Sequence, residues 1–189
     1  MTLHRLCTGL LLVLLCGPFL TAQPASNWSF AAGIGAVPTF IKGPRVVDVP
    51  PVSVRLDYRV RPHFSLSAYA GYSATTSQLD YSHDGLYLPL RNDYYIGGLR
   101  AAFHTITHTC FDFYGGTMLG YNLPVISQVG SDAPVVLPKG KPHYYRLPEA
   151  KWFLSGFVGG NYQLLERIHL YGEVGFGVSL VQLGARVRI

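Results

Sequence analysis

The sequence predicts an all-β protein, an eight-stranded antiparallel up-and-down transmembrane β-barrel that follows a cleaved signal peptide. Three observations support this prediction: an export signal at the N-terminus, an apolar composition, and eight segments of alternating polarity. Only 13% of the 189 residues are charged, whereas 49% are hydrophobic, and ordinary soluble domains carry about 25% charged residues. The chain therefore has more apolar surface to cover than a typical soluble domain.

Residues 1–22 predict a secretory signal peptide. Arg5 precedes an apolar run over residues 6–20, and a small-residue junction ends at Ala22. A basic start, an apolar core and a small-residue cleavage site in this order are typical of export signals. We expect cleavage after Ala22, which would leave residues 23–189 as a single β-barrel domain. Beyond the signal, no apolar run reaches the roughly 20 residues that a membrane-spanning helix needs.

Eight later segments alternate apolar and polar side chains with a period of two, the pattern of a strand whose two faces meet different surroundings. Most have the length of about 9–11 residues that a tilted membrane strand requires. We expect the apolar faces to contact lipid and the polar faces to line a lumen. The predicted strands cover residues 28–40, 52–60, 64–73, 93–103, 110–122, 152–162, 168–176 and 179–189.

The connections between these segments alternate in length. Short turns at residues 61–63, 104–109 and 163–167 alternate with longer connections at residues 41–51, 74–92 and 123–151, and the last connection, near Gly177, is short. Outer-membrane barrels place short turns in the periplasm and longer loops outside the cell. A soluble lipocalin-type barrel could also have eight strands, but it has no reason to separate its loops by length in this way.

Tyrosine and tryptophan occur near the ends of the predicted strands. A membrane barrel carries such residues in two belts at the lipid headgroups. The alternative interpretation is that they are ordinary strand formers, because aromatic residues favour sheets in any protein. The predicted belt residues are Trp28, Tyr58, Tyr72, Tyr95, Tyr121, Trp152 and Tyr162.

The polar faces carry most of the charges found in the predicted strands. An eight-stranded barrel is just wide enough to be filled by its own side chains, and buried charges must be paired. We therefore expect a plug of ion pairs rather than a conducting pore, with hydroxyl groups from Tyr69, Tyr94, Tyr114 and Tyr171. The predicted network consists of Arg55, Asp57, Arg59, Arg100, Asp112, Glu173 and Arg186, with Arg59 and Arg188 near the periplasmic mouth.

No pattern in the sequence points to catalysis, a metal or a cofactor. The histidines are scattered, without the spacing of a metal site, and we expect His104 and His108 to be turn residues. His169 and Glu173 share a strand face, but no serine accompanies them, so we expect no enzyme. The net charge of +5 is not arranged as a stripe, which argues against nucleic acid binding. The exception, residues 138–151, is basic enough to contact anionic lipopolysaccharide.

Several stretches resemble the small outer-membrane β-barrel proteins of the PorT-like and "outer membrane protein beta-barrel" groups of Bacteroidetes. They are "YYIGGLRAAFH" at residues 94–104, "FYGGTMLGYN" at residues 113–122, and "GNYQLLERIHLYGEVGFG" at residues 160–177, which contains Glu173. The resemblance implies an outer-membrane protein that contacts membrane lipid and is inserted by the barrel-assembly machinery. Such chains often end in an aromatic residue, whereas this one ends in Ile189.

Three functions fit these observations. The first, which we predict, is a monomeric outer-membrane barrel with a structural or surface-interaction role, whose long loops meet lipopolysaccharide or a protein. The second is a component of a secretion or transport assembly in the outer membrane, as the resemblance implies. The third is a soluble, lipocalin-like barrel that binds an apolar ligand, which predicts polar outward faces and an apolar interior.

Overall fold

A computed structural model describes residues 27–39, 46–80, 87–105, 110–128, 131–134 and 149–189. The predicted signal peptide lies outside these ranges. Within them, no helix is long and apolar enough to cross a membrane. The strands are β1 (Trp28–Gly35), β2 (Val46–Arg61), β3 (Phe64–Asp80), β4 (Tyr87–His104), β5 (Phe111–Gln128), β6 (Ser131–Pro134), β7 (Lys151–Gln163), β8 (Ile168–Gly175) and β9 (Val181–Arg188).

Eight of these strands close into a ring of antiparallel neighbours. The order β4-β3-β2-β1-β9-β8-β7-β5 is completed by the pairing of β4 with β5. The first and last strands meet along the register from Ser29↔Arg188 to Gly35↔Gln182. The short strand β6 pairs with the end of β5 and lies outside the ring. The prediction of an eight-stranded antiparallel up-and-down barrel is confirmed.

The outward face of the barrel is apolar. Large side chains there are highly exposed, for example Leu99 at 68%, Trp152 at 70% and Leu154 at 75%. A soluble protein rarely exposes so continuous an apolar surface, whereas a membrane barrel presents it to lipid. The soluble lipocalin-like alternative required the opposite arrangement, because it placed the charged side chains outside. Arg55 and Glu173 instead point inward and are buried.

Aromatic side chains form two belts on this outward face, and the belts include all seven predicted residues. On β3, about eight residues separate Phe64 from Tyr72, which at about 3.3 Å per residue and a tilt of about 40° corresponds to roughly 20 Å of height. That height is close to the apolar band of about 25 Å in outer-membrane barrels. The ring pairs are Trp28–Tyr58, Phe64–Phe103 and Phe111–Tyr162 near the short turns, and Tyr72–Tyr95 and Tyr121–Trp152 near the long connections.

The prediction of long loops at residues 41–51, 74–92 and 123–151 is partly wrong. β2 begins at Val46, β3 continues to Asp80, β4 begins at Tyr87 and β5 continues to Gln128, so part of each segment belongs to paired strands. These strand ends lie beyond the extracellular aromatic belt, and residues 74–80 of β3 are mostly polar. A strand there faces water rather than lipid on its outer side, so it needs no apolar alternation, and its sequence looks like a loop.

The extended ends of β2, β3, β4 and β5 form a wall on one side of the extracellular rim. We call the outer ends of these four strands, beyond Tyr72, Tyr95 and Tyr121, the extracellular wall. On the opposite side β1 ends at Gly35 and β9 begins at Val181, close to the membrane surface. The rim of the barrel is therefore high on one side and low on the other.

Candidate functional site

Among the described residues, the inward ion pairs form two clusters, one at the centre of the lumen and one at the periplasmic mouth. Alternation along each strand explains why so many charges converge. On β2, for example, Ser53, Arg55 and Asp57 all face inward and are buried, while Val54 and Leu56 face outward and are exposed. The lumen is therefore a polar core enclosed by an apolar wall, and the charged side chains of the strands are concentrated in it.

Glu173 on β8 is the hub of the central cluster. Its Oε2 atom accepts hydrogen bonds from Arg55 Nη1 at 3.0 Å and from Arg100 Nη2 at 2.7 Å. The hydroxyl of Tyr114 donates a third bond, at 3.1 Å. Because these partners come from β2, β4 and β5, the single carboxylate joins strands on opposite sides of the ring.

Asp57 is the second carboxylate of the central cluster. Its Oδ1 atom lies 2.9 Å from Arg55 Nε, and its Oδ2 atom lies 3.1 Å from Arg186 Nη2. Arg55 therefore bridges Asp57 and Glu173. Charge-assisted bonds of this kind are short and about twice as strong as neutral ones. The cluster holds one guanidinium more than it has carboxylates.

Aromatic rings accommodate part of the excess positive charge. The Arg100 guanidinium carbon lies 3.6 Å from the centre of the Phe157 ring, and that of Arg55 lies 4.8 Å from the centre of the Tyr171 ring. Arg186 is 5.6 Å from the centre of the Tyr114 ring. Cations over ring faces are attracted by the ring quadrupole, and more strongly when water is excluded.

Small residues on neighbouring strands make room for these large side chains. Ala31 on β1 pairs with Arg55 on one side and Arg186 on the other, so its short side chain lies between two arginines. A Cβ atom at Gly184 would come within 2.6 Å of the Tyr171 ring. The alternation of glycine or alanine with arginine and tyrosine around the ring is what lets one narrow lumen hold the cluster.

The extracellular side of the central cluster is closed by the connection between β8 and β9. Val178 is fully buried, and its N–H donates to the Tyr69 hydroxyl at 3.2 Å. Its carbonyl accepts from Thr39 N at 3.1 Å, and Leu180 N donates to Val37 O at 2.8 Å. A Cβ atom at Gly71 would lie only 2.8 Å from Val178 Cβ, so that glycine leaves space for the inserted valine.

The mouth cluster is built around Asp112 at the start of β5. Its Oδ2 atom lies 3.1 Å from Arg59 Nη2 and 2.9 Å from His104 Nδ1, and it accepts from Asn161 Nδ2 at 3.3 Å. The side chains of Arg59 and Asp112 are 35% and 26% exposed, whereas those of Arg55 and Glu173 are 4% and 9% exposed. The two clusters share a chemistry but differ in access to water.

His104 also hydrogen-bonds Ser65, with Ser65 Oγ 2.8 Å from His104 Nε2. The order Ser65, His104, Asp112 has the connectivity of a serine-hydrolase triad. Here, however, Arg59 Nη2 lies 3.0 Å from His104 Nδ1, the atom that contacts Asp112, and Arg59 also binds Asp112 itself. Ser65 is only 6% exposed. The arrangement fixes the Asp112 carboxylate rather than presenting an accessible nucleophile.

The structure places all seven residues of the predicted network in the lumen. It joins Arg55, Asp57, Arg100, Glu173 and Arg186 in the central cluster, and it joins Arg59 to Asp112 at the mouth. Arg188 faces the mouth beside them. Among the described residues, no three His, Cys, Asp or Glu side chains are grouped so that they could hold a metal ion.

Sequence reasoning missed two parts of the site. His104 is wrongly predicted as a turn residue, because it is the last residue of β4 and lies buried in the lumen. Its position four residues after Arg100, on the same inward face of β4, could have shown this. The inserted Val178 was also missed, and no signal in the sequence distinguishes it from the residue of an ordinary short turn. His83, His108 and His143 lie outside the described residues.

Comparison with known proteins supports the fold. Neisserial surface protein A matches with a TM-score of 0.59 and 13% identity over 88% of this chain and 100% of its own. OprG from Pseudomonas aeruginosa matches with a TM-score of 0.57 and 13% identity over 87% of this chain and 91% of its own. Both are surface or outer-membrane proteins by name, and at this identity the likeness shows the fold alone.

A third solved structure is the attachment invasion locus protein Ail of Yersinia pestis, in complex with the heparin analogue sucrose octasulfate. It matches with a TM-score of 0.50 and 12% identity over 84% of this chain and 92% of its own. No protein-family model and no curated protein matches the sequence. The chain therefore has the fold of the small eight-stranded outer-membrane barrels, without a family assignment.

Proposed function

We propose that the protein resides in the outer membrane as a closed barrel with a filled lumen, and that its role is structural or surface-interacting rather than pore-forming. The observation that supports this most directly is the hub at Glu173, which joins β8 to three other strands across the lumen inside an apolar outer wall. An ion would have to displace buried, mutually bonded charges in order to pass. The proposal assigns no catalytic role to the lumen.

Two measurements test this proposal. Cell fractionation combined with gel mobility of unboiled and boiled samples tests location and fold, and we expect an outer-membrane protein that migrates faster when unboiled. Planar-bilayer recording then tests the lumen, and we expect no steady ion current. As a comparison, Val178→Gly combined with Arg100→Ala removes the inserted valine and one central guanidinium, and should allow measurable current. A steady current through the unmodified protein would contradict the filled lumen.

The extracellular wall supports a surface-interaction role. Above the belt residue Tyr121, the outward side chains Leu123 and Val125 remain 46% and 47% exposed. Arg91 and Asp93 on β4 form an ion pair at 3.2 Å, and Tyr72 donates a 2.6 Å hydrogen bond to Asp93. Paired polar groups and isolated apolar side chains on a raised sheet are suited to contact with a protein or with the saccharide of lipopolysaccharide.

We further propose that the basic segment 138–151 contacts anionic lipopolysaccharide. It carries Lys139, Lys141 and Arg146, and it follows the extracellular wall in the chain. Replacing these three residues with glutamine should weaken binding to lipopolysaccharide vesicles and make it less sensitive to salt. Arg167→Gln, at the opposite end of the barrel, is the matched control. Equal binding by the triple variant and the control would remove this part of the proposal.

The narrower assignment to the PorT-like group, with a role in a secretion or transport assembly, is the second candidate. It is favoured by the pattern around Glu173 and the glycines after it. It predicts that the barrel is isolated from cells together with other envelope proteins after mild cross-linking. Recovery of the barrel alone, with the mass of a monomer, would favour the structural role instead.

A further inference from the structure

The periplasmic mouth carries positive charge that its own carboxylates do not balance. Arg61 and Arg167 lie in or beside the periplasmic turns, and Arg59 and Arg188 lie on the inward faces of β2 and β9 at the lumen opening. The described carboxylates at this end are Glu166, which is exposed in the turn beside Arg167, and Asp112, which lies inside the mouth. Its Oδ2 atom is already shared by Arg59, His104 and Asn161.

Arg188 differs from Arg59, which forms an ion pair with Asp112. Within the described parts of the chain, no carboxylate lies at ion-pair distance from its guanidinium, and the charged groups that influence it are Arg59 and Asp112. Arg59 repels it, and Asp112 is already engaged. A partly buried cation without its own counter-ion is costly, because it loses hydration without gaining a partner.

The surroundings of Arg188 offer further hydrogen-bonding groups on neighbouring strands. Ser29 on β1 is paired in register with Arg188 on β9. The backbone N–H of Arg59 donates to Asn27 O at 2.7 Å, so Arg59 on β2 lies at nearly the same height along the barrel axis as Ser29 and Arg188. His169 on β8 is 8% exposed, its Nε2 atom has no hydrogen-bond partner among the described residues, and it lies within the electrostatic influence of Arg188 and Arg59.

We propose that the periplasmic mouth binds a phosphate-type oxyanion between Arg188 and Arg59, with Ser29 and His169 as additional contacts. Guanidinium groups match the oxygen spacing of phosphate and bind it with two parallel hydrogen bonds. A bound oxyanion would relieve the repulsion between the two arginines and would give Arg188 the counter-ion it lacks. The phosphate can belong to a soluble anion or to the headgroup of a lipid in the inner leaflet.

The test uses the folded barrel in a neutral maltoside detergent, so that no other phosphate is present. Inorganic phosphate is titrated at low salt and binding is followed by the broadening of its ³¹P resonance. We expect saturable binding that weakens roughly tenfold in Arg188→Gln, since a hydrogen bond to a charged group is worth about that factor. Arg188→Lys should lose less. Arg91→Gln, which removes a guanidinium at the extracellular end, should bind as the unmodified protein does.

A second arm identifies the source of the phosphate. Phosphatidylglycerol is added to the same samples, and lipid that remains bound is detected by native mass spectrometry. Retention that depends on Arg188 and competes with inorganic phosphate indicates a lipid headgroup, whereas phosphate binding without lipid retention indicates a soluble anion. Gel mobility of unboiled samples confirms that each variant is folded. Failure of both probes to bind, or equal binding by folded Arg188→Gln, would overturn the proposal.

Discussion

The central cluster and the mouth cluster use the same kinds of ion pair in different surroundings. At the centre, Arg55 and Glu173 are almost completely buried; at the mouth, Arg59 and Asp112 remain about one-quarter to one-third exposed. Coulomb attraction is several times stronger where water is excluded, but so is the penalty for an unpaired charge. The same chemistry should therefore fix the fold at the centre and leave room for an exchangeable partner at the mouth.

The largest effect is expected from Glu173→Ala. This change leaves Arg55, Arg100 and Tyr114 without their common acceptor, and breaking a buried pair by removing one partner costs about 3–5 kcal/mol. The free energy of unfolding, measured from urea titrations of the folded barrel in lipid or detergent, should fall by that amount. An unchanged urea midpoint would show that the central ion pairs do not stabilise the barrel.

A smaller loss is expected from Tyr114→Phe. The ring stays in place against Phe157 and the arginines, and only the hydroxyl that donates to Glu173 is removed. A hydrogen bond to a charged group contributes about 1.5–3 kcal/mol, and the two arginines that remain on Glu173 place the expected loss near the lower end. The same urea titration measures it. A loss as large as that of Glu173→Ala would mean that ring packing, not the hydrogen bond, had been disturbed.

Asp112→Asn should cost less again, about 1 kcal/mol or below, because the Arg59–Asp112 pair is partly exposed and ion pairs that water reaches contribute little. Its effect should also depend on salt. In about 1 M sodium chloride the screening length falls to about 3 Å, so the difference between this variant and the unmodified protein should shrink. The loss caused by Glu173→Ala should persist in the same salt. Equal salt dependence of the two would contradict the difference in water access.

No measurable change is expected from Arg91→Ala. Arg91 pairs with Asp93 on the outward face of the extracellular wall and is well exposed. The urea midpoint of the Arg91→Ala variant should therefore coincide with that of the unmodified barrel. A clear loss of stability would show that the wall contributes to the fold in a way that its exposed contacts do not suggest.

Much of this arrangement could be predicted from the sequence, because it depends on a period of two. Alternation alone places Arg55 and Asp57 on the lumen side of β2, and the same rule holds for Glu173 on β8. The identity of each partner could not be predicted. Asp112 meets Arg59 and His104 because the ring closes with a particular stagger between strands, and no local pattern encodes that stagger.

The extracellular strand ends and the inserted Val178 could not be predicted from the sequence, for physical reasons. Beyond the aromatic belts a strand no longer has lipid on one side, so residues 74–80 and 87–92 lack the apolar alternation by which strands are recognised. The connection after Phe176 resembles a surface turn in sequence but is buried in the structure. It is short and glycine-rich, as a surface turn would be, yet it inserts Val178 into the lumen because Gly71 leaves a space there. That space exists only in the closed barrel.

The most direct test of the contrast between the clusters is a pair of double-mutant cycles measured in the same urea titration. One cycle combines Arg55→Gln with Glu173→Gln, and the other combines Arg59→Gln with Asp112→Asn. We predict a coupling energy of about 2–3 kcal/mol for the central pair and about 1 kcal/mol or less for the mouth pair. Equal coupling in the two cycles would contradict the account, because it would mean that burial makes no difference to what these ion pairs contribute.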